Sequence, residues 1–261
     1  MTTSTLFIAL VFVLAGLVKG VTGMGLPTVA MALLTLTLPP LEAAALLIVP
    51  SAVTNVWQLA TGPALYPLWL RLRTLLVAVC VGTAAGGWLL SSPPPPDDFI
   101  ASGAAGVSGG AWAPLVLGLA LAAYGALGLS GWRGRVAPRA EPWAGPLAGA
   151  ATGVLAGITG VFVMPVAPYL QALNLEKDDL VQALGLAFTV STLALAVVLT
   201  CRGNWQVSAA GGSVLALLPA GAGMMLGQWL RGRMPAAVFR RCFFVSLLAL
   251  GAHQCLRVAI G

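Results

Sequence analysis

Charge is scarce in this chain. Asp, Glu, Lys and Arg make up 8% of 261 residues, with seven acidic groups against thirteen basic ones; an ordinary soluble domain carries roughly 25% charged residues. A water-soluble helical fold would be left with too few polar side chains to cover its surface. There is one histidine, and the four cysteines (Cys80, Cys201, Cys242, Cys255) sit in or beside apolar runs without CxxC spacing. No metal or cofactor is therefore expected, and buried thiols are the reading for the cysteines. HExxH, carboxylate pairs inside apolar runs and a supported Ser–His arrangement are all missing, which argues against an enzyme. No basic cluster interleaves with aromatics, so the net charge of +6 does not point to nucleic acid. The N-terminus lacks the positive n-region of a signal peptide, and its apolar run is expected to stay in the mature protein.

What is abundant is apolar sequence, 59% of residues, with a mean hydropathy of +0.97. That is the composition of an all-α polytopic protein of the cell membrane, with the lipid bilayer as its solvent. One stretch interrupts it. Residues 16–27 read Gly-Leu-Val-Lys-Gly-Val-Thr-Gly-Met-Gly-Leu-Pro. Glycine costs a helix interior ~1 kcal/mol and proline ~3 kcal/mol relative to alanine. Backbone freed from a helix in lipid must find partners in protein or in a water-filled cavity. The spacing Gly16-x3-Gly20-x2-Gly23, then Pro27, returns as Gly153-x3-Gly157-x2-Gly160, then Pro165. Two broken segments at matching places in two halves point to a transporter's binding site.

The chain divides into a first transmembrane repeat (1–131), a linker (132–145) and a second repeat (146–261). Apolar arms over 5–19 and up to residue 38 flank the first break. Spans are expected at 41–61, at 74–90 after a loop holding Trp69, Arg71 and Arg73, and within 99–130, bent near Gly109, Gly110 and Pro114. Residues 91–98, with four consecutive prolines, form a stiff loop. In the second half, arms at 146–160 and 164–173 flank the break, and spans follow at 180–200, 206–230 and 236–259. Gly82 is matched with Gly221, and Pro96 with Pro235.

The first broken segment covers about 34 residues, ~50 Å as helix, too long for one crossing of a ~30 Å core. A re-entrant hairpin fits better. Each half would hold one hairpin plus three transmembrane helices; three is odd, so the repeats would be inverted. The positive-inside rule tests this. With hairpins, the inside collects Arg71, Arg73, Arg133, Arg135, Arg139, Lys177, Arg231, Arg233, Arg240 and Arg241, and the outside keeps Arg202 and Arg257. With single crossings, Lys177, Arg231, Arg233, Arg240 and Arg241 move outside while Arg202 and Arg257 move in, a much weaker bias. Both termini are expected outside.

Helix N-termini at the two breaks would attract anions. Candidate substrate-binding residues there are Lys19, Gly20, Thr22, Gly23, Gly25 and Pro27, with Thr159, Gly160 and Pro165 in the second half. Glycines would let a ligand approach the backbone, and Thr22 and Thr159 would add hydroxyl donors. Lys19 is the one charge in the first broken segment; its alternative role is snorkelling to an interface. Its counterpart is Ala156, so the site would be asymmetric. Ser51, Thr54, Asn55 and Gln58 share one helix face, lining a path or bonding neighbouring helices. Thr189, Ser191 and Thr192 are a weaker copy that can back-bond within the helix. Glu42 reads as a cap or interfacial group, with proton coupling as the alternative, and His253 as a packing residue.

The repeated Gly-rich stretches at 16–27 and 153–165, with Pro96 and Pro235 before the last helix of each half, resemble the TauE/SafE sulfite exporter family over nearly the whole chain. Val161, Phe162, Val163 and Met164 stand where members of the family often have a denser glycine run. The resemblance implies export of a small anionic substrate such as sulfite or a sulfonate. The residues alone leave open a carrier of another solute or a non-transporting membrane scaffold, and they do not fix the oligomeric state.

Overall fold

The computed structural model describes residues 3–60, 62–90, 113–131, 134–201, 207–231, 233 and 236–260. The proline-rich loop, Gly109, Gly110, Pro96 and Pro235 lie outside these. Among the described residues there are ten helices and no strand: α1 (Thr3–Thr22), α2 (Leu26–Leu34), α3 (Pro40–Ala60), α4 (Leu65–Leu90), α5 (Ala113–Leu129), α6 (Glu141–Thr159), α7 (Val166–Ala172), α8 (Lys177–Cys201), α9 (Val207–Arg231) and α10 (Ala236–Ile260). Six of them, α1, α3, α4, α8, α9 and α10, are long and apolar enough to cross a membrane. This is a polytopic, all-α membrane protein. Twice in the chain a helix that ends at a glycine break is followed by a short helix and then by three longer ones.

The break is narrower than the glycine pattern suggests. Helix α1 runs 20 residues, straight through Gly16, Lys19 and Gly20, so its first arm is a full ~30 Å rather than the short one expected to stop at residue 19. The chain leaves the helix at Gly23 and Gly25, with φ of 78° and 99°, a region glycine enters without steric cost. Helix α2 then starts with Pro27 in its first turn, where the missing N–H is no loss. In the second half Gly160 ends α6 with φ 72°, its N–H bonding the Ala156 carbonyl at 2.9 Å. Two more boundaries move. Trp69, Arg71 and Arg73 lie in the first turns of α4 rather than in a loop, and α6 starts at Glu141, ahead of residue 146.

Gly16 and Gly20 serve packing. A Cβ on either would strike α9, at the Ala220 and Met224 carbonyl oxygens, while one on Gly223 or Gly227 would strike the Val13 and Leu17 carbonyls of α1. The same contact joins α6 to α4: Gly153 and Gly157 abut Val79 and Thr83, and Gly82 and Gly86 abut Ala150 and Val154. Small residues let helix backbones approach closely, the usual means of helix association in lipid. In both pairs the numbers rise together, so the helices are parallel. Aligning the two contacts places Val79 with Ala220, Thr83 with Met224 and Gly82 with Gly223. The match of Gly82 with Gly221 is therefore out of register; Gly221 has nothing within 4 Å of its Cβ position.

Exchanging the halves turns the main helix pairs into one another: α4–α6 into α1–α9, and α4–α8 into α3–α9, while α3–α8 and α5–α10 map onto themselves. These last two pairs run antiparallel. Leu59 meets Gly185 while Asn55 meets Thr192, and Gly125 meets Leu248 while Gly118 meets Gln254. Outward-facing side chains are apolar, as on α9 at Leu215 and Leu218. Cys80, Cys201 and Cys242 are exposed rather than buried, and His253 is exposed rather than packed.

Candidate functional site

Lys19 lies in the last turn of α1 and is only 3% exposed. It is the one buried charged side chain among the described residues. Its ammonium donates to Asn55 Oδ1. Asn55 Nδ2 donates in turn to Thr192 Oγ1 at 3.2 Å, and Thr192 donates to the Phe188 carbonyl at 2.7 Å. This chain ties α1, α3 and α8 together. Asn55 and Thr192 are 137 positions apart, the same offset as Gly20 and Gly157. The Asn55–Thr192 contact thus joins α3 to α8, the helices at matching places in the two halves of the chain. The single ion pair among the described residues, Arg71 with Glu141 at 2.6 Å, is elsewhere, at the starts of α4 and α6. The negative end of the α1 dipole favours a cation at Lys19, but among the described residues no carboxylate pairs with it.

The polar face of α3 forms as its spacing predicts: Ser51, Thr54, Asn55 and Gln58 are all buried. Their partners differ. Thr54 back-bonds to the Pro50 carbonyl at 2.6 Å. Gln58 Nε2 donates to the Val181 carbonyl of α8 at 2.8 Å. The Ser51 hydroxyl, one turn before Asn55, has no hydrogen-bond partner, and neither has Thr28 in the first turn of α2. Thr28 is fully buried and escaped the sequence reading, though a hydroxyl three residues after Gly25 was the signal. Gln182 also escaped it. Its amide donates to the Leu59 and Gly62 carbonyls at 2.9 and 2.8 Å and accepts the Ala64 N–H at 2.7 Å, closing the end of α3.

The break residues proper are occupied with the break. Thr22 Oγ1 donates to the Val18 or Met24 carbonyl at 2.9 and 2.7 Å and accepts the Met24 N–H. Thr159 donates to the Leu155 carbonyl at 2.7 Å and accepts the Val161 N–H. Both hydroxyls thus satisfy backbone freed by the turn, rather than standing as free donors. Gly20 faces α9, Gly23 and Gly25 form the turn, and Pro27 and the Gly160 Cα pack in the core. A Cβ on Gly160 would lie 3.1 Å from Met31 of α2, so the second break abuts the short helix of the first half. Pro165 precedes α7, and Thr189 back-bonds to the Gly185 carbonyl at 2.7 Å. The structure brings together Lys19, Asn55 and Thr192; it does not gather the two threonines of the breaks around them.

In the second half Phe162 and Phe188 pack with tilted rings, their centroids 5.7 Å apart.

Residues 8–253 match the family model described as Sulfite exporter TauE/SafE. No curated protein and no solved structure matches the chain.

Proposed function

Because the chain belongs to the sulfite exporter TauE/SafE family, a family of membrane transporters for sulfite-like anions, we propose that it is a secondary transporter that exports a small sulfur oxyanion through a site centred on Lys19. The observation that carries this reading is a buried ammonium beside the α3–α8 contact, hydrogen-bonded to a neutral amide and paired with no carboxylate among the described residues. An intramembrane charge is expensive to keep and marks function by default. An anion is the partner that would balance it.

Export needs no coupling ion. An interior-negative potential drives an anion outward by ~2.3 kcal/mol per charge per 100 mV. Antiparallel α3–α8 and α5–α10 pairs, related by exchange of the halves, support inverted repeats that rock about the Asn55–Thr192 contact. Opening to either side would part this contact and hydrate Lys19.

The test is flux of labelled sulfite in proteoliposomes under an imposed potential, with a two-carbon sulfonate as comparator. Losing one charge-assisted hydrogen bond of ~1.5–3 kcal/mol predicts a drop of roughly 10- to 100-fold for Lys19→Ala. No flux of either anion from folded parent protein would remove the oxyanion reading and favour a membrane scaffold or a carrier of another solute.

A further inference from the structure

Two buried hydroxyls without partners are unusual, because buried polar groups are almost always hydrogen-bonded. Thr28 and Ser51 are such a pair, and both belong to the first half. Thr28 is in the first turn of α2, a nine-residue helix whose N-terminus follows Gly25 with no side-chain cap. Ser51 is one turn from Asn55, which holds Lys19.

We propose that the α2 N-terminus with the Thr28 and Ser51 hydroxyls and Lys19 forms an oxyanion cradle that accepts a monoanion and rejects a dianion. This rests on the transport reading above and adds the charge class of its substrate. Lys19 contributes one positive charge. Its ammonium has three donors and spends one on Asn55. The hydroxyls add two neutral donors. The positive end of the α2 dipole and the negative end of the α1 dipole, each about half a charge, offset one another. No second cation is buried among the described residues. A monoanion with three oxygens would neutralise the site and satisfy both hydroxyls. A dianion would leave one uncompensated charge in a site sealed from water, which is strongly unfavourable.

Perchlorate and sulfate are isosteric tetrahedral oxyanions that differ in charge, and methanesulfonate is a monoanion with three oxygens. The experiment measures labelled methanesulfonate flux in proteoliposomes and its inhibition by perchlorate and by sulfate. Perchlorate is expected to compete comparably to methanesulfonate itself, and sulfate roughly 100-fold more weakly. Thr28→Val and Ser51→Ala should each raise the half-saturating methanesulfonate concentration about tenfold, and Ser51→Thr, which restores the hydroxyl, should recover most of the loss. Unfolding midpoints in detergent establish that each variant is folded. Sulfate competing as well as perchlorate would overturn the charge selection. Unchanged saturation in folded Thr28→Val and Ser51→Ala would overturn the cradle. Either result, with methanesulfonate still carried and Lys19→Ala still inactive, would leave the transport reading in place. If no anion is carried at all, the transport reading fails and takes the cradle with it.

Discussion

A single glycine can carry two unrelated duties here, and its neighbours decide which. Gly23 and Gly25 adopt positive φ and make the turn; Gly16 and Gly20 stay helical and let α9 pack backbone to backbone. In the sequence all four belong to one motif, and nothing local separates them. Lys19 was legible for a different reason: a lone charge in an apolar run stands out, and so did its lack of a charged counterpart in Ala156. Thr192, which Asn55 links to it, was harder to see. It shares the repeat offset with Asn55, but a threonine in a helix usually bonds its own backbone, as this one also does. The glycine roles give a paired prediction. Gly223→Ala places a methyl against the Val13 carbonyl and should destabilise by about 1–3 kcal/mol. Gly221→Ala meets open space and should stabilise, by up to ~1 kcal/mol from helix propensity. Thermal unfolding of both in the same detergent measures the difference; equal shifts would return Gly221 to the interface.

At the scale of the helix, each irregularity is answered by a specific group. Pro50 sits inside α3 and has no N–H, so the carbonyl of Leu46 loses its helical donor. Ser213 of α9 supplies one: its hydroxyl donates to Leu46 O at 2.9 Å and accepts the Val49 N–H at 3.1 Å. Freed backbone in lipid needs this kind of partner. The breaks follow the same logic through Thr22 and Thr159, and the end of α3 follows it through Gln182. Proline and glycine made these irregular places visible in the sequence. The groups that satisfy them come from 118 to 167 positions away in the Gln182 and Ser213 cases, and no local pattern announces them. Ser213→Ala would orphan the Leu46 carbonyl, a loss of ~1–3 kcal/mol. Its unfolding midpoint should fall well below that of the parent. A midpoint equal to the parent's would mean that water or a neighbouring group takes over the carbonyl.

The whole molecule is defined by how its two halves are oriented, and helix directions bear on that. Single crossings at the breaks would send α3 and α8 through the membrane in the same direction, because three crossings (α4, α5 and the α6–α7 segment) would lie between them. Re-entrant breaks leave two, and the two helices then oppose. The observed pair is antiparallel, with Asn55 on Thr192 and Leu59 on Gly185, and α5–α10 agrees. The parallel α4–α6 pair fits as well, since it puts Arg71 beside Glu141 at one face, the face that the basic loops assign to the cytoplasm. The matching glycine spacing of the two breaks stands out in the sequence, but the α4–α9 register does not. It slips from 137 to 141 because connections between helices change length where packing does not constrain them. In a background without the native cysteines, Arg73→Cys, Arg231→Cys and Arg257→Cys report each face to a membrane-impermeant thiol reagent. Inverted repeats predict that Cys at 73 and 231 reacts only from the cytoplasmic side and Cys at 257 only from outside. Labelling of positions 73 and 257 from one side, and 231 from the other, would require single crossings. The anion path would then run between halves of the same orientation, and the Asn55–Thr192 contact would lose its place on a rocking axis.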